Sequence, residues 1–174
     1  MATFFCKEQA MEMPVVKNIL DTYWNWQLPV QVEDIARHLG IYISELDSNN
    51  QEHYGLSGLA EISNGFRYAY FNRNECRVRQ RFTLAHEIGH HILDHVTPAN
   101  PKHRDDLGAF SGYSNNWEER EANAFAAELL MPKVAIEYML MNKGISDISK
   151  LARDFEVSEL AMYYRLKNLG LLTY

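Results

Sequence analysis

Cysteine is nearly absent from this chain. Cys6 and Cys76 are the only two in 174 residues, and they form no C-x-x-C pair. That excludes a disulfide framework and a cysteine-based zinc knuckle, and leaves two reduced thiols. Basic charge is also short: 17 lysines and arginines against 23 acidic residues give a formal charge of −6. Affinity for nucleic acid rests on neutralising phosphates, so direct nucleic-acid binding is not expected. No apolar run reaches the roughly eighteen residues that a membrane-spanning helix requires, so no membrane span is expected. The N-terminus lacks the basic-then-apolar pattern of a secretory signal, and the expected location is cytoplasmic. What remains is a chain with 47% hydrophobic residues, enough to pack one domain, or one domain with a small appendage.

Within that chain, His86-Glu87-Ile88-Gly89-His90 carries the most chemistry. Positions i and i+4 of a helix project from one face, so His86 and His90 can offer ring nitrogens to a single metal ion. Glu87 borders that face and can take a proton from a water activated there. This is the H-E-x-x-H pattern of zinc-dependent hydrolases. Ala85, Ile88 and Ile92 form an apolar stripe beside it, with Phe82, Leu84 and Leu93 adding area, so the polar groups are expected to be partly buried. Burying them unpaired costs several kcal/mol, and a metal removes that cost. Gly89 is a poor helix former, which points to close approach of another segment. Asn72 and Glu75 resemble a capping box and place the helix start near Arg73.

A three-ligand zinc site needs one more protein donor. The helix-forming stretch from Trp117 to Pro132 offers four glutamates: Glu118, Glu119, Glu121 and Glu128. Phe125, Leu129 and Leu130 on that stretch are expected to face the core.

Around these motifs the pattern predicts α+β. A helix starts at Pro14, a good first helical residue, and runs to Tyr23, with Trp24 and Trp26 as core or interface anchors. A second spans Val32 to Leu39 and ends at Gly40. Strands are expected over Ile41–Leu46, Leu56–Ile62 and Phe66–Phe71, the last two joined at Asn64-Gly65. The segment 96–116 reads as a long loop, either a lid or an insert. His91 and His95 read as structural or exposed, and Arg81 as one half of a structural ion pair. Beyond a helix running from Pro132 to Lys143, Asp147–Ser158 and Glu159–Leu169 read as helix, turn, helix with Ser158 as N-cap. This pair is helix-turn-helix-like, giving a division into residues 1–144 and 145–174. Its basic residues Lys150, Arg153, Arg165 and Lys167 are offset by Asp147, Asp154, Glu156 and Glu159, which argues against a recognition helix.

The block Arg81–His90 closely resembles that of the ImmA/IrrE family of metallo-endopeptidases. So does the block Glu119–Pro132, which fits E-x-x-A-N-x-F-A-x-x-L-L-M-P. Weaker likeness runs outward from Pro29 to Leu172. The resemblance implies a minimal zincin with a small, mostly antiparallel sheet packed on helices. It implies a gluzincin-like site with His86, His90 and Glu119 as ligands, Asn123 supporting a ligating histidine, and Glu87 as catalytic base. Glu121 is the runner-up third ligand. The metal is expected to be zinc, although manganese and iron accept the same donors. His103 and Tyr113 are candidates for steadying the oxyanion. The implied activity is site-specific cleavage of a helix-turn-helix transcriptional repressor. The competing reading is a DNA-binding or protein-binding regulatory module with a structural metal site.

Overall fold

The computed structural model describes residues 12–47, 49–106 and 116–172; Cys6 and Tyr113 lie outside them. Helix α1 (Pro14–Tyr23) has its proline in the first turn and buries Val16, Ile19 and Leu20, the i, i+3, i+4 stripe of one helix face. Trp24 is buried behind it, whereas Trp26 is exposed. Helix α2 (Val32–His38) ends in Leu39 and Gly40, the latter at φ 69°. There the chain must turn left-handed to enter β1 (Ile41–Glu45). Strands β2 (Leu56–Ser63) and β3 (Phe66–Phe71) form the hairpin expected from Asn64-Gly65. Both turn residues have positive φ, as a type I′ turn demands.

Two stretches depart from the sequence reading. Helix α3 (Arg77–Ile92) starts four residues later than the capping-box pattern indicates. The side chains of that pattern are engaged elsewhere. Asn72 Oδ1 accepts from the Asn74 N–H at 3.0 Å, and its amide donates to Leu56 O at 3.0 Å. Glu75 accepts from the Ser57 hydroxyl at 2.9 Å. Asn72 thus forms a local turn that competes with helix initiation.

The second departure is the segment 96–116. It holds a strand, β4 (Lys102–Asp106), paired antiparallel with β2. The strand Lys-His-Arg-Asp-Asp has no apolar alternation, so nothing in its composition marks it. Lys102 and Arg104 reach Glu52 at 2.8 and 3.3 Å, while His103 and Asp105 alternate to the other face.

The four strands run in the order β1-β3-β2-β4, with β1–β3 parallel and the other two pairings antiparallel. The small, mostly antiparallel sheet of an α+β fold is therefore present. Helix α3 packs on β2 and β3, and α4 (Trp117–Leu130) packs on α3. Arg81 is 1% exposed; it donates to Val30 O at 2.9 Å and lies 3.4 Å from Glu156. The ion pair expected of Arg81 thus joins α3 to the C-terminal helices rather than to the histidines. Those helices are α6 (Ile148–Phe155) and α7 (Glu159–Asn168), preceded by α5 (Lys133–Met141). Ser158 caps α7 as expected, accepting from the Ala161 N–H.

Leu151, Phe155, Met162 and Leu166 share one core with Val16, Ile35, Ile88 and Phe125. Glu128, one of the four glutamates offered by α4, is buried away from the histidines and accepts from the Met13 N–H at 2.9 Å. Arg165 is also buried and donates to Met131 O at 3.1 Å. Phe155→Ala is expected to cost about 3–5 kcal/mol. Urea unfolding followed by circular dichroism measures this, and a loss under about 1 kcal/mol would contradict the shared core.

Candidate metal centre

Helix α3 presents His86 and His90 from one face, as the i, i+4 spacing requires. Both are fully buried, and their Nε2 atoms lie 2.9 Å apart. Helix α4 brings Glu119 against them: Oε2 is 3.4 Å from His86 Nε2, and Oε1 is 3.6 Å from His90 Nε2. The approach of the two helices depends on Gly89. A Cβ there would sit 3.1–3.3 Å from the Phe125 side chain on α4, so the expected close segment is α4 itself.

The second contributor is β4. Asp105, 1% exposed, places Oδ2 2.8 Å from His86 Nε2. His103 stacks on the His90 ring at 3.8 Å between centroids and sets Nε2 3.3 Å from Glu119 Oε1. Donor atoms of His86, His90, Asp105 and Glu119 all lie within 4.8 Å of one another. The expected trio therefore converges, and Asp105 joins it unannounced. Its only sequence signal is a carboxylate two residues after a histidine in a polar stretch, which is too common to single out.

The groups behind the two histidines set their ring orientation. Asn123 Oδ1 lies 3.1 Å from His86 Nδ1. Nδ1 therefore carries a hydrogen, and Nε2 faces the cluster, where its lone pair becomes available once its proton is lost. Behind His90 the chain is longer. His90 Nδ1 meets His95 Nδ1 at 3.0 Å, and His95 Nε2 meets Glu121 Oε2 at 3.3 Å. His95 is buried, the structural alternative of the two that the sequence left open. It bends back because the turn after α3 places Asp94 at φ 60° and bonds the His95 N–H to His90 O. Glu121, the runner-up ligand, anchors this relay from the outside. His91 is also buried, with Nε2 2.9 Å from Tyr68 O on the sheet. Glu118 lies 3.6 Å from His103.

Glu87 is fully buried, and neither of its oxygens has a hydrogen-bond partner among the described residues. It fits only because β2 carries Gly58 opposite it, where a Cβ would fall 2.0 Å from Oε1. Burial, reinforced by the Asp105 charge, pushes its carboxyl well above the usual range. Burial disfavours charge on His86, but the carboxylates of Asp105 and Glu119 override it and raise the imidazole to about 9. His90 goes the other way: burial, then the positive charge of His86 and His103, lowers it to about 2.

Two imidazole nitrogens and two carboxylates thus face one point, with Glu119 Oε2 and both Asp105 oxygens lacking hydrogen-bond donors of good geometry. Without a metal, a proton on His86 offsets part of the carboxylate charge, and a divalent cation would take its place. Ligands of a tetrahedral zinc stand about 3.3 Å apart, given bonds of about 2.0–2.1 Å. The separations here, 2.8–3.6 Å, bracket that value. Imidazole and carboxylate suit zinc, and also manganese or iron. These residues fit a divalent metal.

Two outcomes are expected. His95→Ala should weaken metal affinity by roughly 10- to 100-fold through loss of ring orientation, as read by competition against a chelating dye. Metal uptake should also release a proton from His86, because the group is protonated below about 9 without the ion. Apparent affinity should then rise with pH up to that value and fall below it. Calorimetry in buffers of differing ionisation enthalpy measures this, and a pH-independent affinity between 6 and 8 would contradict it.

No curated protein matches the sequence. Residues 36–167 match the peptidase family described as the IrrE N-terminal-like domain. That span takes in both motif helices, all four strands and most of the C-terminal helix pair. On that match the chain belongs to the IrrE N-terminal-like family of peptidases.

Proposed function

We propose that this protein is a zinc-dependent, site-specific endopeptidase that inactivates a helix-turn-helix repressor in the cytoplasm. The observation that carries the hydrolase reading is Glu87. It is a fully buried carboxylate without a hydrogen-bond partner among the described residues, on the same helix as two histidines whose Nε2 atoms meet Glu119. His86, His90 and Glu119 would hold the metal, with Asn123 behind His86. When bound, the ion supplies Lewis acidity toward the scissile carbonyl and makes water a usable nucleophile near neutral pH.

The chain's own groups do the rest. Glu87 takes a proton from the attacking water and returns it to the leaving amine nitrogen. Its raised pKa in the ion-free site follows from burial and from the Asp105 charge. His103, 13% exposed in its side chain, is placed to donate toward the oxygen that gains negative charge. An extended substrate can align along the sheet edge formed by β4. The repressor substrate rests on the family blocks 81–90 and 119–132. No helix among the described residues is long and apolar enough to cross a membrane, in keeping with a diffusing substrate.

Glu87→Gln is expected to retain one metal per chain and lose cleavage by about 10²-fold or more, the scale of a removed general base. Elemental analysis and cleavage of helix-turn-helix repressors, with metal present, test this. Full activity in that variant would remove Glu87 from its role. No cleavage by the wild-type protein of any such repressor would remove the substrate assignment.

A further inference from the structure

The triad of His86, His90 and Glu119 comes from two helices packed directly on each other, whereas Asp105 arrives on a different kind of element. Strand β4 is an edge strand, paired with β2 on one side and with no other strand among the described residues. Its register against β2 slips beside Asp105: Leu56 pairs with Asp106 and Gly58 with Asp105, leaving Ser57 as the extra residue of a bulge. Bulges re-aim side chains and are common beside active sites. Here the bulge sets Asp105 opposite Gly58, the residue that leaves room for Glu87.

Resting on the metal site proposed above, we infer that Asp105 is a fourth protein ligand that closes the coordination sphere, so that the folded protein is latent until this carboxylate withdraws. Three features carry this. Asp105 is 1% exposed, and its oxygens face the imidazoles of His86 and His103 without a hydrogen bond of good geometry among the described residues. Its Oδ2 stands 2.8 Å from His86 Nε2, as close to the cluster as any member of the triad. Two imidazoles and two carboxylates complete a four-coordinate shell. Structural zinc sites are closed in this way, while catalytic sites keep one position for solvent. Because Asp105 sits on a strand at the sheet edge, it can leave without disturbing the α3–α4 contact that holds the other three. His103 shares its face of β4 and lies 3.6 Å from Asp105 Oδ1, so the strand carries both groups together.

The test uses the full chain loaded with Co²⁺, whose visible spectrum reports ligand exchange, and acetohydroxamate as a probe for an open position. Wild type, Asp105→Ala and the near-isosteric Asp105→Asn are compared. Thermal unfolding of each confirms that it is folded. All three are expected to bind one Co²⁺. If Asp105 holds the fourth position at least nine-tenths of the time, the alanine variant should respond at about tenfold lower acetohydroxamate concentration than wild type. With Mn²⁺ in place of Co²⁺, the same variant should raise water-proton relaxation above wild type by admitting a bound water. Equal acetohydroxamate response in wild type and Asp105→Ala, with metal bound in both, overturns latency and leaves the hydrolase reading intact. Failure of every form to take up Co²⁺ overturns the metal site and this inference with it. An opened Asp105→Ala site that cleaves no repressor supports the closing ligand and counts against the peptidase assignment.

Discussion

The contact between α3 and α4 at Gly89 and Phe125 governs the whole site. Two histidines one turn apart can meet a glutamate on another helix only if the backbones approach closely, and a side chain at position 89 would hold them apart. Phe125, fully buried, fills the space that glycine leaves and fixes the separation. Glu119 and Asn123 lie on the same face of α4 as the seam requires. One delivers a carboxylate to the ligand cluster, and the other an acceptor to the back of His86.

Around that seam the remaining structure is support. The sheet floors α3 through Gly58, whose missing side chain admits Glu87. Arg81 ties the start of α3 to Val30 and to Glu156, so the helix that carries the histidines is anchored to the N-terminal and C-terminal helices. Behind the two histidines, two hydrogen-bonded lines fix the rings: Asn123 behind His86, and His95 with Glu121 behind His90. Such groups matter because a histidine with a free ring nitrogen can rotate or switch tautomer, and either change withdraws its lone pair. The electrostatics follow from the same crowding. Without a cation, the carboxylates draw a proton onto His86, and that charge suppresses one on His90.

The H-E-x-x-H spacing was legible because helical periodicity is local: i and i+4 share a face wherever the helix goes. The Glu119 and Asn123 pair was legible for the same reason, once the family blocks singled it out from the competing glutamates. The hairpin at Asn64-Gly65, the helix ending at Gly40 and the Ser158 cap also follow from backbone preferences within a few residues. The capping-box reading at Asn72 failed because Asn72 and Glu75 bond to β2, which the local pattern does not contain.

What the sequence by itself determined was the chemistry of each helix face and the order of the elements. Only the tertiary structure decided which groups meet. Strand β4 is polar throughout, so its existence depends on pairing with β2 rather than on burial of its own side chains. Asp105 and His103 therefore enter the centre through long-range hydrogen bonds that leave no periodic trace. His95, read as structural or exposed, and Glu121, the runner-up ligand, acquire their place behind His90 from the fold of the turn after α3. Local spacing sets where a side chain points on its own element; contact across elements is set by the packing of the whole chain.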